Sequence, residues 1–500
     1  MPSGSSKIIF RRAFMQLTKL LDGIGCAFDE IKADAEISMP VTDSREAVDG
    51  SLFVCIKGSC RNGADYIEEA VKNGAAAYVT EKDMQLPKSD LGGAVHIVTD
   101  DTRLCAAAVW NNYYGRPAKD MRLYGITGTN GKTSTAEFLE SVLRCSGRKC
   151  GIIGTLGCRA CGERIENSRA EVSDTPAAMT TPDPKYLYGA LAHMKSLGIT
   201  DVVMEVSSHA LLQKKTAPLD FEWGIFTNLS PEHLDTHGTM ENYFAAKASL
   251  FERCRHALVN ADDPWASRVS GIRAGAWLAH NVHCGLDGVS YTLGYAGKSL
   301  NIRTRVAGSY TVYNTMLAAV CALEAGIEPY AVEEGIAAVK SVCGRTELIA
   351  DRASYGIDVI IDYAHTPDAM RAALSGLRRK GGYLTVVFGC GGDRDSEKRP
   401  LMGRAAYEMC DRVIVTSDNP RTEDRGKIID DILRGIPDGG CAVIPDRRSA
   451  IAYAIESARP GETVVLMGKG HEDYETDADG KHSFSEREIC CDVLRRKFGR

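Results

Sequence analysis

The sequence reads Tyr124-Gly125-Ile126-Thr127-Gly128-Thr129-Asn130-Gly131-Lys132-Thr133-Ser134 where a short apolar strand, residues 123–126, meets a helix. Glycines in such a turn let backbone N–H groups close around an anion, and the N-terminus of the following helix adds a favourable dipole. Lys132 can reach the terminal phosphates of a nucleotide, and the Thr133 hydroxyl can bind Mg²⁺. The strand–turn–helix order therefore predicts a phosphate-binding loop for ATP or GTP, although Ile126 stands where the common pattern has its first glycine.

Length, composition and charge are those of an ordinary globular protein. The chain has 500 residues, 44% of them hydrophobic and 25% charged, which is enough for about three domains of ~150 residues. A net charge of −6 argues against a broad surface for nucleic acids or anionic membranes. The 17 cysteines, in a chain without a signal-peptide core or a membrane-spanning apolar stretch, are typical of reduced thiols. We therefore expect a soluble, cytoplasmic monomer without nucleic-acid or membrane partners.

The order of apolar and polar segments predicts an α/β fold with three domains, at residues 1–117, 118–342 and 343–500. The middle block alternates strand, loop and helix, as in the parallel sheet of phosphate-loop ATPases, and the last block has the pattern of a Rossmann-like open sheet. Pro117 lies in a predicted linker. A helix is predicted at 66–72, and strands at 51–56, 76–79, 123–126, 202–205, 223–227, 257–260, 359–361, 384–388, 413–415 and 464–467.

Unusual polar segments follow several of these strands. They are EVSSH at 205–209, TNLSPEHLDTH at 227–237, DYAHTPD at 362–368, GCGGDRD at 389–395, DNPR at 418–421 and GKGHE at 468–472. Ligands bind open parallel sheets at the carboxyl ends of the strands, so these segments predict a binding rim. Mixed arginine and carboxylate groups suit a zwitterionic ligand and Glu205 suits Mg²⁺, although turn and capping roles stay open. The residues alone indicate a three-domain, ATP-dependent, Mg²⁺-using enzyme with an amino-acid-like substrate.

Together these motifs resemble the Mur ligase family, the ATP-dependent amino-acid ligases of peptidoglycan precursor synthesis, over about residues 40–490. The resemblance is to members that add the third residue of the peptide. It implies that ATP phosphorylates the D-Glu side-chain carboxylate of UDP-N-acetylmuramoyl-L-Ala-D-Glu, and that the amine of meso-2,6-diaminopimelate attacks the acyl phosphate. It also implies a uridine-binding domain at 1–117, an ATP-binding domain at 118–342 and an amino-acid-binding domain at 343–500.

The resemblance also assigns site residues. Those implied for ATP are Gly128, Thr129, Asn130, Gly131, Lys132, Thr133, Ser134, Asn314, Arg345 and Asp362. Those implied for the UDP-muramoyl-dipeptide are Ser44, Thr180, Thr181, Ser207, Gln213 and Lys215. Those implied for diaminopimelate are Arg394, Asp418, Asn419, Pro420, Arg421, Gly468 and Glu472.

The same resemblance implies a catalytic and metal-binding set. Thr133, Glu205, His233 and Lys247 would bind Mg²⁺, with Lys247 carbamylated to N6-carboxylysine, and Lys132 would complete the catalytic group. Carbamylation turns a cation into an anion that can bind a metal. Without the resemblance, a solvated helix face is the simpler interpretation of Lys247.

Arg421 favours diaminopimelate as the substrate, whereas two departures from the family pattern, at Lys215 and at residues 59–61, leave other parts of the substrate site undecided. Arg421 would pair with the distal carboxylate that L-lysine lacks, and a site built for a carboxylate rejects the analogue without it. However, Lys215 stands where many relatives have arginine, and residues 59–61, SCR, depart from the uridine-binding pattern of some relatives. The alternatives are the same ligase with L-lysine or another diamino acid, a folate polyglutamate-type ligase, and a phosphate-loop kinase or NTPase.

Overall fold

The computed structural model describes residues 6–7, 14–28, 35–58, 61–89, 91–166, 179–378 and 381–499, so two of the three residues of the SCR segment lie outside the described residues. The strands are β1 (Ser6–Lys7), β2 (Met15–Gln16), β3 (Cys26–Phe28), β4 (Glu36–Ile37), β5 (Pro40–Val41), β6 (Ser51–Val54), β7 (Ala75–Glu81), β8 (Val95–Thr99), β9 (Arg122–Thr127), β10 (Cys150–Gly154), β11 (Gly157–Ala160), β12 (Glu163–Glu166), β13 (Asp201–Glu205), β14 (Phe221–Phe226), β15 (Cys254–Asn260), β16 (Ile272–Ala274), β17 (Ala279–Gly285), β18 (Gly288–Tyr295), β19 (Lys298–Thr304), β20 (Glu347–Ala350), β21 (Asp358–Asp362), β22 (Leu384–Phe388), β23 (Arg412–Val415), β24 (Ala442–Val443), β25 (Thr463–Met467), β26 (Tyr474–Asp477) and β27 (Gly480–Ser483).

The α-helices are α1 (Leu17–Leu20), α2 (Ile67–Lys72), α3 (Thr102–Tyr113), α4 (Lys132–Cys145), α5 (Pro184–Ser196), α6 (Ser208–Leu212), α7 (Leu234–His237), α8 (Met240–Ala248), α9 (Tyr310–Glu324), α10 (Pro329–Ala338), α11 (Arg352–Tyr355), α12 (Pro367–Leu377), α13 (Lys398–Met409), α14 (Arg425–Leu433), α15 (Arg447–Glu456) and α16 (Glu486–Phe498). Pro117, predicted as a linker, begins the short 3₁₀ helix Pro117–Asp120. Among the described residues, no helix combines the length and apolarity needed to cross a membrane.

The chain divides into two compact units. The first comprises Met1–Thr127, Gly147–Ile225 and Phe244–Ala257, and the second comprises Gly128–Ser146, Phe226–Tyr243 and Leu258–Arg500. The three domain boundaries expected from the sequence stay a prediction. The predicted α/β class is confirmed, because both units contain sheets with parallel strands flanked by helices.

Two sheets of the first unit contain parallel strands. One has the order β3-β8-β7-β6-β5, in which only β3 is antiparallel to its neighbour. In the other, β10, β13 and β9 are adjacent and parallel. Every residue of β13 is buried, as expected for the continuous apolar run of a strand covered on both faces. The predicted strand 76–79 extends to Ala75–Glu81 because its pairing with β8 continues past the apolar residues.

The second unit contains a six-stranded sheet with the order β20-β21-β25-β22-β23-β24. All its neighbouring pairs are parallel except β20 with β21. Asp362, Met467, Phe388 and Val415 are in register across four adjacent strands. The polar segments predicted as a rim therefore leave the sheet at one edge, which is the ligand-binding edge of such sheets. Two buried apolar clusters cover its faces.

Candidate active site

The predicted phosphate loop lies between the end of β9 and the start of α4, in the second unit from Gly128 onward. Gly128 and Gly131 have φ of 145° and 85°, a region that residues with a side chain rarely adopt. A Cβ at Gly131 would lie 2.5 Å from Asn314 Oδ1, and one at Gly128 would overlap Thr227 Oγ1. Both positions thus require glycine for conformation and for space.

A neighbouring segment holds the loop in shape. The backbone N–H groups of Thr129 and Asn130 donate to Asn228, to its carbonyl oxygen at 2.8 Å and to its side-chain Oδ1 at 2.9 Å. Thr227 Oγ1 donates to the carbonyl oxygen of Asn130 at 2.6 Å. The sequence placed Thr227 and Asn228 in a polar strand-end segment, but their role in supporting the loop was not predicted.

A cluster of charged groups surrounds Lys132, whose Nζ donates to the carbonyl oxygens of Gly128 and Thr129 at 2.8 Å each. Glu232 Oε1 lies 2.9 Å from His365 Nε2 and 3.8 Å from His233 Nε2. Burial alone would raise the pKa of Glu232, but both histidines and Lys132 outweigh it and hold the pKa well below its usual value. The carboxylate of Glu232 therefore balances the cations of this loop.

His365 contacts both its own strand-end segment and Glu232. His365 Nδ1 lies 2.9 Å from the carbonyl oxygen of Tyr363, which can only accept, so Nδ1 carries a hydrogen. Its Nε2 lies 2.9 Å from Glu232 Oε1, so the imidazole bridges the Tyr363 carbonyl oxygen and the Glu232 carboxylate. This pairing of two predicted strand-end segments was not predicted from the sequence.

Glu205, in the first unit, is 1% exposed at the end of β13. Its Oε1 accepts from Thr155 N at 2.8 Å and its Oε2 from Thr155 Oγ1 at 3.1 Å. These two bonds to Thr155 fix the orientation of the Glu205 carboxylate at the end of β13. Gly154 is required here, because a Cβ would lie 2.8 Å from Cδ of Glu205.

The structure brings four predicted substrate residues of the first unit together. Thr181 Oγ1 donates to the Glu205 carbonyl oxygen at 2.9 Å and accepts from Ser207 N at 3.0 Å. Thr180 Oγ1 lies 3.1 Å from Thr155 Oγ1. Lys215 is 6% exposed and pairs with Asp183 at 2.7 Å. These contacts form a polar surface beside the end of β13.

Three other predicted residues of the first unit have different surroundings. Ser44 is buried and donates to Glu69 Oε2 at 2.5 Å. Gln213, the residue after α6, is exposed. Lys247 is 1% exposed, so the solvated helix face that the sequence alone favoured is wrong.

Two further residues predicted to bind ATP, Asn314 and Asp362, lie in the second unit. Asn314 is 4% exposed, and its Oδ1 accepts from Thr135 Oγ1 at 3.4 Å. Asp362 Oδ2 accepts from Thr346 N at 2.6 Å, and its Oδ1 accepts from Ala364 N at 2.7 Å. These backbone bonds orient the Asp362 carboxylate at the end of β21.

Arg345 lies close to this strand end as well. Its guanidinium stacks 4.2 Å from the centroid of the Tyr363 ring, and its Nη1 donates to the carbonyl oxygen of Gly344 at 3.3 Å. Stacking of a guanidinium on an aromatic face leaves its in-plane N–H groups available to anions.

The C-terminal rim is built from the loops after β23 and β25. Asn419 Nδ2 donates to Glu472 Oε2 at 2.7 Å. Gly468 has φ of 114°, and a Cβ there would overlap Asp418 Oδ2. Burial, and then the neighbouring Asp418 carboxylate, raise the pKa of Glu472. The Asp418 and Glu472 carboxylates therefore repel one another at this edge, which favours a cationic group beside them.

Arginines form the other side of the rim. Arg421 Nη1 donates to the carbonyl oxygen of Gly392 at 2.6 Å, and its backbone adopts φ of 55°. Burial lowers the pKa of the Arg421 guanidinium, and the positive charge of Arg394 lowers it further. Two repelling guanidinium groups are stabilised when an anion lies between them.

Buried charged residues that the sequence did not single out support these loops. Arg399 donates to both Glu423 oxygens at 2.7 Å and to the Gly391 carbonyl oxygen at 3.2 Å. Arg447 donates to the carbonyl oxygens at the ends of two strands, Ser417 at 3.0 Å and Met467 at 2.8 Å. The only feature of the sequence that could have indicated this role is the position of both arginines near the ends of strands.

The described residues contain no group of three or more His, Cys, Asp or Glu side chains arranged to hold a metal ion. Mg²⁺ is bound by one or two carboxylates, waters and substrate phosphates rather than by an all-protein cage. The predicted Mg²⁺ ligands Thr133, Glu205, His233 and Lys247 therefore stay a prediction.

A phosphate loop and a strand-end rim of paired arginines and carboxylates define the protein as a nucleotide-dependent α/β enzyme. Comparison with protein families makes this specific. The chain matches the Mur ligase family catalytic domain over residues 36–113, the Mur ligase middle domain over 126–322 and the Mur ligase glutamate ligase domain over 344–470. The chain belongs to the Mur ligase family.

Curated relatives cover nearly the whole chain. UDP-N-acetylmuramoyl-L-alanyl-D-glutamate--2,6-diaminopimelate ligase of Syntrophomonas wolfei is 38% identical over 506 residues, which covers 97% of this chain and 100% of the relative. The protein of the same name from Aquifex aeolicus is 39% identical over 465 residues, covering 90% and 92%.

Solved structures extend the similarity to the fold. A structure of UDP-N-acetylmuramoyl-L-alanyl-D-glutamate--2,6-diaminopimelate ligase has a TM-score of 0.65 at 29% identity, covering 97% of this chain and 99% of the other. Folylpolyglutamate synthase of Mycobacterium tuberculosis, solved with ADP and AMPPCP, has a TM-score of 0.60 at 21% identity, with coverage of 80% and 95%. The second similarity shows the fold alone.

Proposed function

We propose that this enzyme joins meso-2,6-diaminopimelate to the D-Glu side-chain carboxylate of UDP-N-acetylmuramoyl-L-Ala-D-Glu, in cytoplasmic peptidoglycan precursor synthesis. The observation that carries the proposal is the rim in which Arg421 and Arg394 lie with Glu472 and Asp418. Such a rim suits a ligand with both carboxylate and ammonium groups. The names of relatives 38–39% identical over at least 90% of the chain support the same substrates.

The chemistry begins at the phosphate loop. The γ-phosphoryl group of ATP moves to a carboxylate oxygen of D-Glu, ADP leaves, and an acyl phosphate forms. The amine of the amino acid then attacks the carbonyl carbon, and inorganic phosphate leaves with the former carboxylate oxygen. Lys132 lies over the loop carbonyls and would neutralise transferred phosphate charge. ATP dependence agrees with the family to which the chain belongs.

Mg²⁺ would offset the phosphate charge during this transfer. We assign its binding to Thr133, Glu205, His233 and Lys247, the last as a carbamate. The Glu205 carboxylate fits this role, because it is buried and oriented by Thr155. Lys247 is 1% exposed, so its end group lies in the protein interior, as a carbamate bound to a metal would.

Arg421 supports diaminopimelate over L-lysine. A half-buried guanidinium beside another arginine gains from a distal carboxylate, which lysine lacks. When the site holds lysine, Arg421 would be left without that anion, and this penalty discriminates between the substrates.

The test is amide-product formation, followed by mass spectrometry. Purified enzyme receives ATP, Mg²⁺, UDP-N-acetylmuramoyl-L-Ala-D-Glu and either meso-diaminopimelate or L-lysine. A Lys132→Met variant is the control for contaminating ligases. We expect the tripeptide product with diaminopimelate. Product with lysine alone would keep the ligase but overturn the substrate assignment, and ATP hydrolysis without product in either reaction would favour a plain NTPase.

A further inference from the structure

Lys469, which none of the predicted site assignments includes, is completely buried in the loop after β25. Its Nζ donates to Asn419 Oδ1 and to the carbonyl oxygen of Tyr474, each at 2.8 Å. It lies 3.9 Å from Asp418 Oδ1 and 5.5 Å from the centroid of the Phe484 ring. Burying an ammonium group has a large desolvation free energy, so the partners of Lys469 must offset it.

These contacts determine which way the amide of Asn419 faces. Asn419 Oδ1 accepts from Lys469 Nζ at 2.8 Å and from the backbone N–H of Thr476 at 3.0 Å. An ammonium and a peptide N–H can only donate, so the amide oxygen must face them. The amide NH₂ group then faces the opposite way, where it donates to Glu472 Oε2 at 2.7 Å.

The charge of Lys469 also acts on Glu472 directly. Burial and the Asp418 carboxylate raise the pKa of Glu472, whereas the Lys469 ammonium, the Asn419 hydrogen bond and His365 lower it. Glu472 also faces Tyr363 and the Arg421 guanidinium. Among these groups, Lys469 supplies a fixed positive charge that is shielded from solvent.

We propose that Lys469 is a positioning residue for the amino-acid site: through Asn419 it orients the Glu472 carboxylate to receive an ammonium group of the incoming diamino acid. The inference rests on the proposed ligase function, because it concerns the amino-acid site of that reaction. Lys469 itself contacts neither substrate nor nucleotide in this scheme.

Steady-state kinetics of Lys469→Met test the proposal. Without the ammonium, Asn419 is free to turn and Glu472 loses its orientation. We expect KM for meso-diaminopimelate to rise about 10- to 100-fold, with KM for ATP and for the UDP-muramoyl-dipeptide within about twofold of wild type. Lys481→Met is the matched control, because its exposed ammonium lies 3.6 Å from the ring of Tyr474, the residue whose carbonyl oxygen accepts from Lys469. An equal rise of all three KM values would overturn the proposal.

The pH profile separates positioning from a structural role. Loss of the Lys469 charge raises the pKa of Glu472 further, so the acid limb of kcat/KM for the diamino acid should move to higher pH. Lys469→Arg keeps the charge and should keep the wild-type limb. Lys469→Gln removes the charge but keeps a donor for Asn419. If Lys469→Met does not fold, Lys469→Gln is the neutral variant whose pH profile is measured. An unmoved limb in the neutral variants contradicts the proposal.

The remaining outcomes are also decisive. Failure of both neutral variants to melt cooperatively would make Lys469 a stability residue and would overturn the proposal. Failure of the wild-type enzyme to form product with diaminopimelate would overturn the proposed function instead. The two failures are therefore distinguishable within one set of assays.

Discussion

Arg421→Ala is the sharpest test of substrate choice in the C-terminal rim. Arg421 is half-buried, its Nη1 is held 2.6 Å from the Gly392 carbonyl oxygen, and its backbone N–H donates to the Thr476 carbonyl oxygen at 3.0 Å. Burial and the neighbouring Arg394 both lower the pKa of Arg421, so the site gains when an anion arrives. Alanine removes the group that would receive the distal carboxylate.

The size of the effect follows from the burial of Arg421. Hydrogen bonds to charged groups contribute about 1.5–3 kcal/mol each, and breaking a buried ion pair costs about 3–5 kcal/mol. Because Arg421 keeps partial solvent contact, we take the lower end, about 3 kcal/mol. At about 1.4 kcal/mol for each factor of ten, kcat/KM for meso-diaminopimelate should fall about 150-fold.

The assay compares two amino acids in the same enzyme preparation. Tripeptide formation is measured by mass spectrometry with meso-diaminopimelate and with L-lysine, at saturating ATP and UDP-muramoyl-dipeptide. L-lysine has no distal carboxylate, so its kcat/KM should stay within about twofold of wild type. Arg404→Ala is the matched control, because Arg404 is an exposed arginine on α13 that pairs with Glu408.

One result would refute this reasoning. If Arg421→Ala lowers kcat/KM equally for diaminopimelate and L-lysine, Arg421 does not bind the distal carboxylate. If the variant keeps the wild-type preference for diaminopimelate over L-lysine, other residues of the rim select the diamino acid.

Three further predictions concern the phosphate loop and Glu205. Glu232→Gln should lower the free energy of unfolding at pH 7 by about 1–3 kcal/mol, because it removes the carboxylate that pairs with the half-buried His365. Because the pKa of Glu232 is lowered in the folded protein, its contribution to the free energy of unfolding is complete above the unfolded-state pKa of about 4.3 and is lost progressively below it. The difference between wild type and Glu232→Gln, measured by urea unfolding, should therefore be smaller at about pH 3 than at pH 7. An equal difference at both pH values contradicts the prediction. Gly131→Ala should raise KM for ATP about tenfold or more, because its Cβ meets Asn314 and φ is positive; an unchanged KM would show that the loop adapts. Gly154→Ala should displace Glu205 and raise the Mg²⁺ concentration for half-maximal activity at least about tenfold, and an unchanged Mg²⁺ titration argues against Glu205 as a ligand.

Local patterns were the predictable part of this protein. The strand–turn–helix order around Gly128–Gly131 identified the phosphate loop, because positive φ at glycines and a helix N-terminus are local properties. The apolar runs of the last block identified four parallel strands to within one residue at their ends. Parallel pairing of those strands then required their polar ends to lie at one edge of the sheet.

Burial was less predictable than secondary structure. Lys247 lies in a short alanine-rich segment, and nothing in that segment distinguishes a core-facing lysine from a solvated one, yet the side chain is 1% exposed. Lys469 and Arg447 are similar cases, because a charged residue beside a strand end is usually solvated. Whether such a residue is buried depends on partners that are distant in sequence.

The sequence by itself determined the α/β class, the phosphate loop and the set of polar segments at strand ends, because these follow from local periodicity and glycine conformation. Only the tertiary structure decided which groups meet. Asn228 supports a loop 98 residues away, Glu232 pairs with His365 across 133 residues, and Lys469 orients Asn419 across 50. Hydrogen bonds and ion pairs act over a few ångströms in space, so their partners are set by packing of the folded chain rather than by spacing along it.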